Sequence, residues 1–168
     1  MKEIKNDEYE KIVQFILDHP EFQKRKTYMH HENESVYDHS LEVSKLAYKM
    51  AKFLHLKNKE DVAIGGLLHD FYDKPWQDNH EHKKFFQKHG FVHAREANDN
   101  AKKYFGEAMN PKIEDMILRH MFPLNIRPPR YIGSWLVTLS DKAVSLKVFK
   151  HPTQLPKYVG IKVKRKEK

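Results

Sequence analysis

The chain of 168 residues contains no cysteine and only six glycines. Without cysteine, disulfide bonds, thiolate zinc sites and cysteine nucleophiles are excluded, so nitrogen and oxygen ligands must carry any metal chemistry. Neither a G-x-x-x-x-G-K-[ST] motif nor a G-x-S-x-G motif occurs among the few glycines. These absences argue against a P-loop enzyme and against a serine hydrolase.

Long apolar segments are also lacking. The longest uninterrupted run of apolar residues and glycine covers residues 62–68, which is far shorter than the roughly 20 residues of a membrane-spanning helix. The first residues, M-K-E-I-K-N-D-E, lack the apolar core of a signal peptide. We therefore expect a cytoplasmic protein that makes no membrane contact.

The length is sufficient for one hydrophobic core. We expect a helical domain over residues 1–150, followed by a basic C-terminal tail over residues 151–168. The net charge of the chain is +8, and the tail accounts for a net +5 of it. Such a tail predicts weak contact with polyanions. The sequence does not indicate an oligomeric state.

Apolar residues recur at helical spacing through most of the chain and predict a single all-α bundle of about six or seven helices. The segments predicted to be helical, with the second and fifth short, are 7–19, 21–28, 36–55, 59–70, 81–89, 92–105, 111–120 and 133–149. We expect Gly90 to separate two helices, and residues 29–34 and 121–130 to be loops. Gly65 and Gly66 lie inside a predicted helix, where each costs roughly 1 kcal/mol relative to alanine, so another backbone should pass close by.

Five of the predicted helices place ionisable side chains on faces that should be buried. These side chains are His39, His69 with Asp70, His93, His120 and Asp141. Each one alone is better explained as a core histidine bonded to a carbonyl, or as an aspartate paired with lysine. Burying all of them together would be costly, because a buried isolated carboxylate costs several kcal/mol and an unpartnered imidazole costs roughly 1 to 3 kcal/mol. A shared divalent cation would offset these costs, and neutral His with ionised Asp suits Mn, Fe, Mg, Co, Ni or Zn.

The order of these residues, H, then HD, then D, resembles the HD-domain metal-dependent phosphohydrolases, an all-α superfamily. The resemblance covers roughly residues 36–149. The stretches S-V-Y-D-H-S, L-L-H-D-F-Y, H-G-F-V-H-A-R-E-A-N-D-N-A, R-H-M-F-P-L and W-L-V-T-L-S-D-K are also similar to small bacterial HD proteins that have no assigned substrate. His93 and His120 lie between the HD pair and the last Asp, as in the branch of the superfamily that holds two metals.

The resemblance implies one ion held by His39, His69, Asp70 and Asp141, and a second held by His93 and His120 with Asp70 as the bridge. It implies a phosphohydrolase that cleaves a phosphate mono- or diester, of a nucleotide or another small molecule, with a metal-activated hydroxide. One or two divalent ions would be the cofactors. The alternative is a non-catalytic HD module that binds a nucleotide or RNA.

Three residues are candidates for a direct part in catalysis. They are Asp70 as the bridging carboxylate, His31 as a proton donor and Lys74 as a phosphate contact. His31 is explained equally well as a plain residue of the loop before the first ligand helix. Further phosphate contacts are Lys142, Arg127 and Arg130, although each is more simply explained as a solvated surface cation.

Overall fold

The computed structural model describes residues 7–31, 34–73 and 85–148. Within them the chain forms seven α-helices and almost no strand, which confirms the predicted all-α fold. The helices are α1 (Asp7–Leu17), α2 (Pro20–Gln23), α3 (Val36–Phe53), α4 (Lys59–Leu68), α5 (Phe85–Phe105), α6 (Pro111–Arg119) and α7 (Ile132–Val148). Two 3₁₀ segments, Lys24–Thr27 and Gly106–Ala108, follow α2 and α5.

The predicted basic tail lies outside the described residues, so its separation from the helical domain stays a prediction. Among the described helices, none is both long enough and apolar enough to cross a membrane.

Two local predictions were wrong. Residues 29–34, predicted to be a loop, contribute to an antiparallel hairpin in which β1 (Met29–His31) pairs with β2 (Glu34–Ser35). Strands of two or three residues are too short to show the period-two alternation that identifies a strand. Gly90 does not end a helix, because α5 is continuous over 21 residues. One interior glycine costs only about 1 kcal/mol, which the remaining turns of a long helix can offset.

Neighbouring helices pack closely against the two glycines of α4. A Cβ atom on Gly66 would lie 2.9 Å from the Cα atom of Ser44 in α3. A Cβ atom on Gly65 would lie 2.5 Å from the Sδ atom of Met116 in α6. The expectation that another backbone passes close to this helix is therefore confirmed at Gly66, and α4 can pack between α3 and α6.

A buried chain of hydrogen bonds links α1, α3 and α4. The Tyr9 hydroxyl donates to Ser44 Oγ at 2.8 Å, and the Ser44 hydroxyl donates to the Ala63 carbonyl at 2.6 Å. Burial raises the pKa of Tyr9 well above its ordinary value, so the phenol remains a neutral donor. Because buried polar groups need partners, this chain favours one register of α3 on α4, the two helices that carry the first predicted ligands.

Candidate metal centre

His39 is delivered to the interior by the buried face of α3. It follows Val36 by three residues and precedes Val43 by four, and all three side chains are fully buried. The helix begins at a Ser35 cap, whose Oγ accepts the Asp38 N–H at 3.1 Å. A cap of this kind contributes about 1 kcal/mol to helix stability. The start of α3, and with it the direction of His39, is thereby fixed.

His69 and His120 occupy the same position on two different helices. They are the C-cap residues of α4 and α6, respectively. The Nδ1 atom of each lies 2.7 Å from the carbonyl oxygen three residues earlier, Gly66 for His69 and Ile117 for His120. Because a carbonyl can only accept, Nδ1 must carry the proton, and Nε2 is left with a lone pair when the ring is neutral.

The two aspartates face these Nε2 atoms. Asp70 places Oδ2 at 3.4 Å from Nε2 of His69 and Oδ1 at 3.4 Å from Nε2 of His120. Asp141, on α7, places Oδ1 at 3.1 Å from Nε2 of His39 and at 3.7 Å from Nε2 of His69. Two clusters result, His39–His69–Asp141 and His69–Asp70–His120, and within each the ligand atoms lie within 4.8 Å of one another.

The residues of these clusters fit a divalent cation. Among the described residues, the buried Nε2 atoms of His69 and His120 have no hydrogen-bond partner. Such an orphaned atom costs roughly 1 to 3 kcal/mol, and a cation would supply the missing partner. The C-terminal ends of α4 and α6 also lie here, and helix C-termini carry partial negative charge that favours cations. The nitrogen and oxygen donors suit the metals expected from the sequence.

The histidines and aspartates of the centre shift one another's pKa values. Burial by itself would raise the pKa of Asp70, but the adjacent His69 and His120 outweigh it and hold that pKa well below its usual value. The pKa of Asp141 is lowered in the same way, with the hydrogen bond from His39 as the main opposing cause. Burial would lower the pKa of His39, yet the hydrogen bond to Asp141 and the nearby Glu34 carboxylate raise it to about 10. Without metal, the aspartates are ionised and His39 is protonated.

The hairpin adds two residues that the sequence did not identify, His30 and Glu34. The His30 ring stacks on His39 with centroids 3.9 Å apart and an interplanar angle of 12°. Its Nε2 atom lies 3.7 Å from Oδ2 of Asp70. Glu34 places Oε2 at 3.8 Å from Nδ1 of His39, and the three residues form a further cluster. The sequence predicted a loop here, and a loop has no periodicity that would identify His30 rather than His31 as the histidine that reaches the centre.

The structure brings together five of the six predicted ligands, all except His93. The His93 ring lies against Tyr72, with centroids 3.8 Å apart, and belongs to none of the clusters found among the described residues. Its role as a ligand stays a prediction. The side chain of His31 and the whole of Lys74 lie outside the described residues. Lys142, a candidate phosphate contact, donates to the His120 carbonyl at 3.4 Å.

Comparison with known families identifies the same region of the chain. The family model of the HD domain matches residues 36–151, well over half of the sequence. The chain belongs to the HD domain family. This match confirms the resemblance that the sequence motifs indicated, and HD domains bind divalent metals. Comparisons with curated proteins and with solved structures found no match.

In this HD domain the segment after the His-Asp pair is anchored by a buried arginine. Arg25 is 1% exposed and forms an ion pair with Asp73 at 2.8 Å. Its guanidinium lies 4.0 Å from the centroid of the Phe71 ring, and the Asn100 side chain donates to the Phe71 carbonyl at 3.1 Å. Cation–π contacts of this kind contribute about 0.5 to 2 kcal/mol. Asp70 is thus held between a helix end and a fixed segment.

Proposed function

We propose that this HD domain is a metal-dependent phosphohydrolase that cleaves a phosphate mono- or diester, with nucleotides as the substrate class. The observation that carries the proposal is the pair of His/Asp clusters that share His69 inside one buried centre. Members of the HD superfamily are generally hydrolases, which supports the same class of reaction.

The centre would hold one or two divalent ions on His39, His69, Asp70, His120 and Asp141, with His93 as a further ligand of the second ion. Bound there, the metal would lower the pKa of a water molecule and withdraw charge from a phosphoryl oxygen. Asp70 turns one carboxylate oxygen towards each of two histidines, which suits a carboxylate shared between ions. Asp141 faces Nε2 of His39 and Nε2 of His69 with a single oxygen, which suits a ligand to one ion.

The surrounding residues orient the ligands and limit the access of water. His69 and His120 keep their Nδ1 protons on backbone carbonyls, so both direct Nε2 to the carboxylates. The His30 ring covers one face of His39. Exclusion of water lowers the effective dielectric constant and so strengthens the electrostatic interactions inside the centre. His31 as a proton donor and Lys74 as a phosphate contact complete the proposal.

The test is turnover by protein purified without chelator and assayed with Mn²⁺. Substrates are p-nitrophenyl phosphate, bis-p-nitrophenyl phosphate and a panel of nucleotides. Asp141→Asn should lower turnover by about a hundredfold or more, because metal stabilisation of the transition state is worth several kcal/mol. The matched control is Asp18→Asn, which makes the same change at a residue bonded only to Gln14 among the described residues.

Two results would refute the proposal. One is equal turnover by Asp141→Asn and the parent protein. The other is a lack of turnover on every substrate by metal-loaded protein that still binds a nucleotide or RNA, which would establish the non-catalytic binding module instead.

A further inference from the structure

A positively charged cavity of about 160 Å³ lies between α5, α6 and the loop after α6. None of its lining residues is a predicted or observed metal ligand. The residues that line it are Arg95, Leu118, Arg119, Asn125 and Arg127. Three arginines thus border one small space, and no carboxylate occurs among its described lining residues.

The three arginines differ in how they are paired. Arg119 is held by Asp115, with Nε 2.6 Å from Oδ1, and it donates from Nη1 to the Pro128 carbonyl at 2.6 Å. Within the described part of the chain, Arg95 and Arg127 form no ion pair. The cavity therefore keeps a net positive charge. Like charges gathered in this way repel one another unless an anion lies between them.

The loop that carries Arg127 is tied to α6 before any ligand binds. The buried Asn125 donates from Nδ2 to the Leu118 carbonyl at 2.9 Å, and its Oδ1 accepts the Arg127 N–H at 3.2 Å. Asp115 Oδ2 accepts the Arg130 N–H at 2.9 Å. Because both ends of the loop are bonded to α6, little ordering would be needed for binding, which favours affinity.

We propose that this cavity is an anion site that binds a phosphate group through Arg95, Arg119 and Arg127. Guanidinium forks match phosphate oxygens in bidentate geometry, and such charge-assisted bonds are roughly twice as strong as neutral ones. Arg119 immediately precedes His120 in the chain, but none of the described residues that line the cavity belongs to the metal clusters, so the anion would bind without using the metal ligands. The bound group is either a second phosphate group of the substrate or part of a free polyphosphate.

Binding is tested with inorganic pyrophosphate on full-length protein that has been treated with chelator and dialysed. Isothermal titration calorimetry at low salt should show binding by the parent. Arg127→Gln and Arg95→Gln, on two different elements, should each weaken it roughly tenfold, since a bond to a charged group contributes at least that factor. The control is Lys112→Gln, which removes one positive charge from an exposed position of α6 that does not line the cavity.

The proposal is overturned by any of three results. One is that the parent does not bind pyrophosphate, another is that both cavity variants bind it as tightly as the parent, and the third is that Lys112→Gln weakens binding as much as they do. Because no turnover is measured, failure of the phosphohydrolase proposal would not affect this test.

A kinetic comparison identifies the source of the phosphate, and this arm rests on the proposed phosphohydrolase activity. If the site holds a second phosphate group of the substrate, Arg127→Gln should raise KM for a nucleoside diphosphate but not for p-nitrophenyl phosphate. If it holds free polyphosphate, pyrophosphate should change turnover of both substrates alike in the parent and not in the variant. An unchanged response in both comparisons would contradict the site.

Discussion

Binding of a divalent ion to the metal-free protein should release protons and become tighter as the pH rises. Although burial opposes it, the hydrogen bond to Asp141 and the nearby Glu34 carboxylate raise the pKa of His39 to about 10. Contacts with Asp70 likewise raise the pKa of His120 despite its burial. His39 is therefore protonated near neutral pH when the centre is empty, and the same contacts favour the protonated form of His120. A histidine can ligate only after losing that proton.

The size of the effect follows from the pKa of His39. Removing a proton from a group of pKa about 10 at a pH of about 7.5 costs about 3 kcal/mol, at 1.36 kcal/mol for each pH unit. Affinity should rise about tenfold for each pH unit if one proton is released. If His120 releases a second proton, the rise should approach about a hundredfold.

Competition with a chromophoric chelator at three pH values between about 6.5 and 8.5 measures this slope, after correction for the chelator's own protonation. Calorimetry in two buffers of different protonation enthalpy counts the released protons directly. Glu34→Gln removes one of the carboxylates that hold the His39 proton, so it should reduce the slope. Affinity that does not depend on pH, with no proton released, would refute the reasoning.

Three further predictions concern the centre, the packing and the tail. Asp70→Asn should remove all bound metal, whereas His93→Ala should lower metal content from about two ions to one; inductively coupled plasma mass spectrometry that finds no change would show that His93 is not a ligand. Gly66→Ala should destabilise by about 1 to 2 kcal/mol in urea unfolding because its Cβ would meet the α3 backbone. Gly106→Ala is the control, because no atom lies within 4 Å of the new Cβ. An equal loss of stability in this variant would contradict the close packing of α4 on α3. Truncation after Pro152 should leave turnover unchanged, and a folded but inactive product would show that the tail contributes.

Most of the centre could be predicted because helical periodicity determines which residues are buried. His39 lies between Val36 and Val43, and Asp141 lies between Val137 and Val144, each at a spacing of three or four residues, so the sequence alone predicted both on apolar helix faces. His69 and His120 follow the last turns of two such helices. For these four residues, the helical period of 3.6 residues was sufficient to predict burial, and the cost of burying charged groups indicated that they share a partner.

The remaining residues depend on contacts that no local pattern encodes. His30 reaches the centre from a strand of only three residues, where alternation cannot be recognised. His93 was placed on the correct helix, but its ring packs against Tyr72, in the segment after the His-Asp pair. The direction of that segment is set by the distant Arg25, which contacts Phe71 and Asp73. Spacing within one helix could not have foreseen this arrangement.

The shared position of His69 and His120 has a consequence for the order of assembly. Each ring is aimed by a hydrogen bond to a carbonyl three residues earlier, so every atom that sets its direction belongs to a single turn of helix. The orientation can arise as soon as that turn forms, before the two helices meet. A four-residue unit of this kind, placed at the C-terminus of a helix in an unrelated designed bundle, should present its Nε2 atom in the same direction.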